Sequence, residues 1–168
     1  MEEEPYLERE SRRIVEVYEG GPGARIDRIA EPDVAVIVGA NGYANGKDAK
    51  AIIARYGIAL VGNGGEAHGG AGCVLFAYDG GHAVGGDGTF AIARRAGNAT
   101  CGQAGMASAL DGIAVAKGPA AVALARRQNA KGVRAEAAAG GVAIARDYSL
   151  DPANSFAAQA HAGSGGIA

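Results

Sequence analysis

Large and small apolar residues alternate along this chain in a pattern that returns every 16 residues. "FAIARR" (90–95) and "VALARR" (122–127) begin 32 residues apart, and "MASALD" (106–111) stands midway. Upstream, "VLFAYD" (74–79) and "IALVGN" (58–63) continue the series at the same spacing. Stacked in columns, Ile58, Val74, Phe90, Met106 and Val122 form one large position, and Leu60, Phe76, Ile92, Ser108 and Leu124 form another. Between and after them run smaller columns: Ala59, Leu75, Ala91, Ala107, Ala123, then Val61, Ala77, Ala93, Ala109, Ala125. Alternation at period two predicts a strand, because successive side chains point to opposite faces.

The other half of each repeat is shorter and studded with glycine, as in "HAVGG" (82–86), "NATCG" (98–102) and "AVAKG" (114–118). Two short strands per repeat, closed by Gly, Asn or Asp corners, predict an all-β, Gly/Ala-rich β-solenoid, or β-roll, with 16-residue coils. Two sheets face to face in a narrow coil need small inward residues, which the alanine columns supply. The large columns then point outward and stack at about 4.8 Å per coil. "VAIARD" (142–147) follows "VALARR" after 20 residues, so an insertion of four is expected, placed by this reading in "AEAAAGG". "DVAVIVGANG" and "AKAIIARYG" read as further strands in a less regular register.

Three regions follow. Residues 1–33 are a charged capping segment, 34–147 the solenoid, and 148–168 a C-terminal cap or flexible tail. Leu7, Ile14, Val15 and Tyr18 lie at helix-like spacing among charges, so 5–23 reads as an amphipathic helix or a first charged strand, ended by Pro22 and Gly23. Such a cap would cover an open strand edge. Phe156 is the one large anchor of the tail.

Composition supports the coil. Of 168 residues, 29 are Gly, far above the globular average of about 7%. With three Phe, two Met and no Trp, the chain is poorly supplied for a core of large side chains. The net charge of −2 speaks against a nucleic-acid glove. No apolar run of about 18 residues exists, and the charged start "MEEEPYLERESRR" lacks the apolar stretch of a secretory signal, so a cytoplasmic location is expected. Cys73 and Cys101 fit no metal or redox spacing and read as small buried thiols.

Little in the sequence points to catalysis. "GGDGT" (85–89) resembles the phosphate-binding loop of NAD kinases and diacylglycerol kinases, which would make Asp87 a chemical residue. Yet Thr89, Phe90 and Ile92 occupy columns shared by coils that lack the motif, so Asp87 reads as a corner residue. His68, His82 and His161 form no ligand-spaced pair, and Ser108 has no His or Asp placed to activate it. No enzyme, cofactor or metal is expected.

The outward columns carry more. Asp79, Arg95, Asp111 and Arg127 form an alternating-sign ladder, which would weakly support the stack. Tyr78, Arg94, Leu110 and Arg126 run beside it, with the composition of an interface core. The predicted partner or oligomer surface is therefore Val74, Phe76, Tyr78, Phe90, Ile92, Arg94, Arg95, Leu110, Leu124, Arg126 and Arg127. The acidic members of the ladder argue against a phosphate track, and Thr89 and Thr100 stand in different columns, which argues against an ice-binding Thr ladder.

The xAxA strands with Gly corners, in "GTFAIARRAGNATCG" and "GIAVAKGPAAVALARR", resemble the head repeats of YadA-type trimeric autotransporter adhesins over residues 57–147. The resemblance implies a tight left-handed β-roll whose outward apolar residues pack chains together. It does not extend to an export signal, a heptad stalk or a membrane anchor, and the 16-residue period is slightly longer than the usual head repeat. The expected function is a non-enzymatic protein-binding module, a cytoplasmic inhibitor of immunity or anti-defence type that binds another protein. The alternative is a homo-oligomeric, adhesin-like structural module, and a third reading is a nucleotide-phosphate enzyme built on GGDGT.

Overall fold

The computed structural model describes residues 16–28, 34–46, 50–53, 55–62, 64–127, 133–147 and 158–168. Their strands alternate between two parallel sheets, as a flattened coil requires. The nine-stranded sheet holds β1 (Glu16–Gly20), β3 (Val34–Val38), β5 (Lys50–Ile53), β7 (Glu66–Gly69), β9 (His82–Gly85), β11 (Asn98–Cys101), β13 (Ile113–Ala116), β15 (Val133–Ala137) and β17 (Ala158–Ala162). Facing it, the eight-stranded sheet holds β2 (Arg25–Arg28), β4 (Tyr43–Gly46), β6 (Ile58–Val61), β8 (Val74–Ala77), β10 (Phe90–Ala93), β12 (Met106–Leu110), β14 (Val122–Arg127) and β16 (Val142–Asp147). The chain is a β-solenoid.

The 16-residue columns are the backbone register of the eight-stranded sheet: Ile58 pairs with Val74, Val74 with Phe90, Phe90 with Met106, and Met106 with Val122. Both alanine-rich columns are buried, and the large columns are half-buried or exposed on the outer side. The core is graded along the coil. Val36, Val38, Ile53, Val61, Cys73 and Leu75 fill its upstream half, whereas downstream it is mostly alanine, with Thr89, Cys101, Val133 and the charged Arg127 the larger exceptions. Where a larger residue points inward, the facing strand has glycine: a Cβ on Gly69 would lie 2.9 Å from Leu75, and one on Gly85 would overlap Thr89. At such a close approach of two sheets, large faces small.

The corners follow a second rule. Before successive strands of the eight-stranded sheet, Asn41, Tyr56, Gly72, Gly88, Ala104, Ala120 and Gly140 all have positive φ, between 52° and 71°. The turn repeats even where its residue is not glycine, because the coil's geometry demands it.

The register departs from 16 at several described pairings: 18 residues from Arg25 to Tyr43, 15 from Tyr43 to Ile58 and 25 from Val133 to Ala158, besides two departures inside the regular stretch. Asn98 pairs with Ile113, a step of 15, while Met106 still pairs with Val122. The corner "LDG" is one residue short and "KGPA" makes up the difference, so the irregularity is hidden from the sixteen-residue columns. The extra residues before "VAIARD" do not lie in "AEAAAGG". That segment is strand β15 and an ordinary corner, and the surplus falls between Arg127 and Val133, in 128–132, outside the described residues.

Finally, the described residues of the predicted end segments join the coil. β1 pairs with β3 and β2 with β4, so residues 16–28 form a first coil, and the charged-strand reading holds for 16–20 instead of the helix. Tyr18 aligns with buried Val36 and Arg28 with Gly46, and the Arg28 guanidinium lies 4.1 Å from the Tyr18 ring centre. Tyr18 of this stacked pair packs against the upstream end of the described core. β17 pairs with β15, and Ile167 bridges to Val142. Leu7, Ile14, Val15 and Phe156 lie outside the described residues.

Candidate interaction surface

Two outer faces are available, and they differ in character. The nine-stranded sheet presents a mixed face: Glu66, His82 and Asn98 follow one another in register, and His68 contacts Glu66 at 3.1 Å. The Asn98 side chain reaches His82 Nδ1 at 3.4 Å, and its carbonyl oxygen accepts from the Ile113 N–H at 3.3 Å. These groups satisfy one another along the stack. Among the described residues no group of three His, Cys, Asp or Glu is placed to hold a metal ion.

The eight-stranded sheet presents an apolar face. Val74, Phe76, Phe90, Ile92 and Leu124 all point outward, and Phe90 and Ile58 keep 49% and 41% of their surface exposed. Ser108 is the single polar member of the outward columns between β6 and β16. Tyr78, Arg94, Leu110 and Arg126 line the edge where the strands end. Phe76 and Tyr78 stack with ring centres 6.5 Å apart, and the Arg94 guanidinium lies 5.8 Å from the Tyr78 ring. Arg94 and Arg126 are both exposed, two coils apart, or about 10 Å at the strand spacing.

One predicted surface residue is not there. Arg127 is 4% exposed. In neighbouring coils the chain turns at this column, with Asp79, Arg95 and Asp111 at positive φ. β14 instead continues as strand through Arg127, so this side chain keeps the inward parity of Ala123 and Ala125 and lies in register with Asp147. The predicted charge ladder is present at its upstream end, where Arg95 donates to Asp79 Oδ1 at 2.9 Å. The Arg95 side chain is largely exposed, so the pair adds little stability.

GGDGT forms one corner. Thr89 is fully buried and its hydroxyl donates to the Gly70 carbonyl at 2.9 Å. Gly88 adopts φ 64°, and the exposed Asp87 accepts from the Gln103 N–H at 2.8 Å, holding the next coil. Burial pushes the Cys101 thiol up to about 11, which keeps it protonated and unreactive.

The outer apolar face was legible from the columns. The Asp87 bond, the Arg28–Tyr18 stack and the parity of Arg127 were not, since each depends on where a corner falls. Comparison with known protein families, with curated proteins and with solved structures finds no match for this chain.

Proposed function

We propose that the chain is a non-enzymatic protein-binding scaffold whose working surface is the outer face of the eight-stranded sheet. The observation that carries this reading is the double column of large apolar side chains from β6 to β16, interrupted only at Ser108 and bordered by Tyr78, Arg94 and Arg126. A monomeric scaffold rarely exposes so continuous an apolar strip, and aromatic residues with arginine at its margin are the composition of binding hot spots. In-register strands give the face a fixed shape, so little conformational entropy is lost when it docks.

In its specific form, the scaffold is an inhibitor that occludes a site on another protein. Exposed Arg94 and Arg126 beside the strip suit a partner with carboxylates next to an apolar patch. Immobilised protein should retain such a partner, and Phe76→Asp with Ile92→Asp should release it without unfolding. Retention equal to wild type by that variant would rule the face out.

A second reading is a homo-oligomeric structural module, supported by the likeness to adhesin head rolls and by the face's repetition of the same columns. Light scattering on the purified chain with and without a captured partner separates the two: a tight oligomer that no partner displaces supports the structural module, whereas a monomer or a weak, displaceable oligomer supports the heterologous partner.

A further inference from the structure

Resting on the reading that this face is the binding surface, we infer that a second copy of the chain covers it in the free protein. The two copies are related by a two-fold axis parallel to the coil axis. Face-to-face packing requires a two-fold lying in the plane of the interface, and only its direction is open. An axis parallel to the strands lays the ridge of Arg94 and Arg126 over its own copy, which places like charges together. An axis parallel to the coil keeps each strand at the level of its counterpart but reverses its direction.

Three relationships follow from that reversal. Asp87 and Arg94 stand at opposite ends of β10, so Asp87 of each copy comes beside Arg94 of the other. The two outward columns face each other, which sets the long Met106 against Ser108 and Phe76 against the smaller Val74. The Asp87–Arg94 pair and these two size-matched pairs favour this direction, while Phe90 meets Ile92 and Arg126 meets the uncharged Pro119–Ala120 corner.

Area sets the strength. The six strands from β6 to β16 at about 4.8 Å, each roughly 15 Å long, give about 430 Å² per copy. The total of roughly 900 Å² falls just short of the usual range for a specific interface, so the dimer is weak and a tighter partner displaces it. Occlusion by the second copy then makes partner binding dependent on protein concentration.

Sedimentation and light scattering across a concentration series test this. Wild type should show a reversible monomer–dimer equilibrium, and Phe90→Asp should weaken it by about a hundredfold with an unchanged far-ultraviolet circular dichroism spectrum. Arg94→Glu should weaken it roughly two- to tenfold, and this effect should shrink on an Asp87→Asn background, which keeps the oxygen that accepts from Gln103. A trimer, or an Arg94→Glu effect independent of Asp87, overturns the two-fold arrangement. A monomer at about 100 μM overturns the second copy while leaving the face free for another protein. A dimer that survives Phe90→Asp overturns both the inference and the choice of face.

Discussion

Asp87 and Gln103 lie one coil apart, and the Asp87 carboxylate accepts the Gln103 backbone N–H at 2.8 Å. A nucleotide-binding loop would aim such backbone donors at phosphate; here the protein's own carboxylate uses this one to hold coil to coil. Asp87→Ala should therefore lower stability by about 1 kcal/mol, while Asp87→Asn should keep most of it. Thermal unfolding of the two variants checks this; equal losses would mean that the oxygen does not support the corner.

The inward columns set a hard limit on size. Ala93 and Ala109 are each 1% exposed, with neighbouring coils above and below. Ala93→Phe or Ala109→Phe should abolish the folded state, because the added volume has no space to relax into. A wild-type melting curve for either would reverse the assignment of the faces.

Corner strain predicts a gain. Ala104 has φ 52° in the column where Gly88 has 64°. Ala104→Gly should stabilise the coil by about 0.5–1 kcal/mol, since relief of left-handed strain exceeds the entropy cost of glycine. Gly88→Ala should lose a similar amount. Chemical denaturation midpoints compare them directly.

Adjacent arginines should behave differently. Arg126 is exposed and Arg127 is buried, although both extend one strand. Arg126→Ala should change stability by less than about 0.5 kcal/mol. Arg127→Ala should cost about 2–4 kcal/mol, because it removes a buried guanidinium and leaves the groups packed and paired with it uncompensated. Equal effects in urea denaturation would place both outside the core.

Alkali should destabilise the fold through Cys101, whose thiol burial pushes from 9.0 up to about 11. Below about pH 9 both folded and unfolded states hold the proton, and the protonated thiol's full contribution is present. Between 9 and 11 the unfolded state releases it first, so stability falls by up to about 1.4 kcal/mol per pH unit. Cys101→Ser should flatten that part of the stability profile, and an unchanged slope would assign the alkaline loss elsewhere.

Fold and face were legible because inward alanine and outward Phe76 or Ile92 repeat at a spacing the backbone itself uses. Ladder pairing copies one coil's requirements onto the next, so columns carry structural information that no single segment holds. What escaped were events at corners. The missing residue in "LDG" is offset by the longer "KGPA", which leaves the stronger columns in phase. Arg127 shares a column with Arg95, and only the continuation of β14 past the usual turn reverses its direction. The first coil was obscured because Tyr18 and Arg28 stand where later coils have small residues.

Protein binding by the outer face of the eight-stranded sheet, as proposed above, requires that Phe76 and Ile92 lie outside the core. Phe76→Asp with Ile92→Asp, followed by melting and light scattering on the same sample, tests it most directly. A melting temperature near that of wild type is expected, together with loss of self-association and of partner capture. Unfolding of the variant would show these residues to be core, and a folded variant with wild-type association would place the binding surface elsewhere.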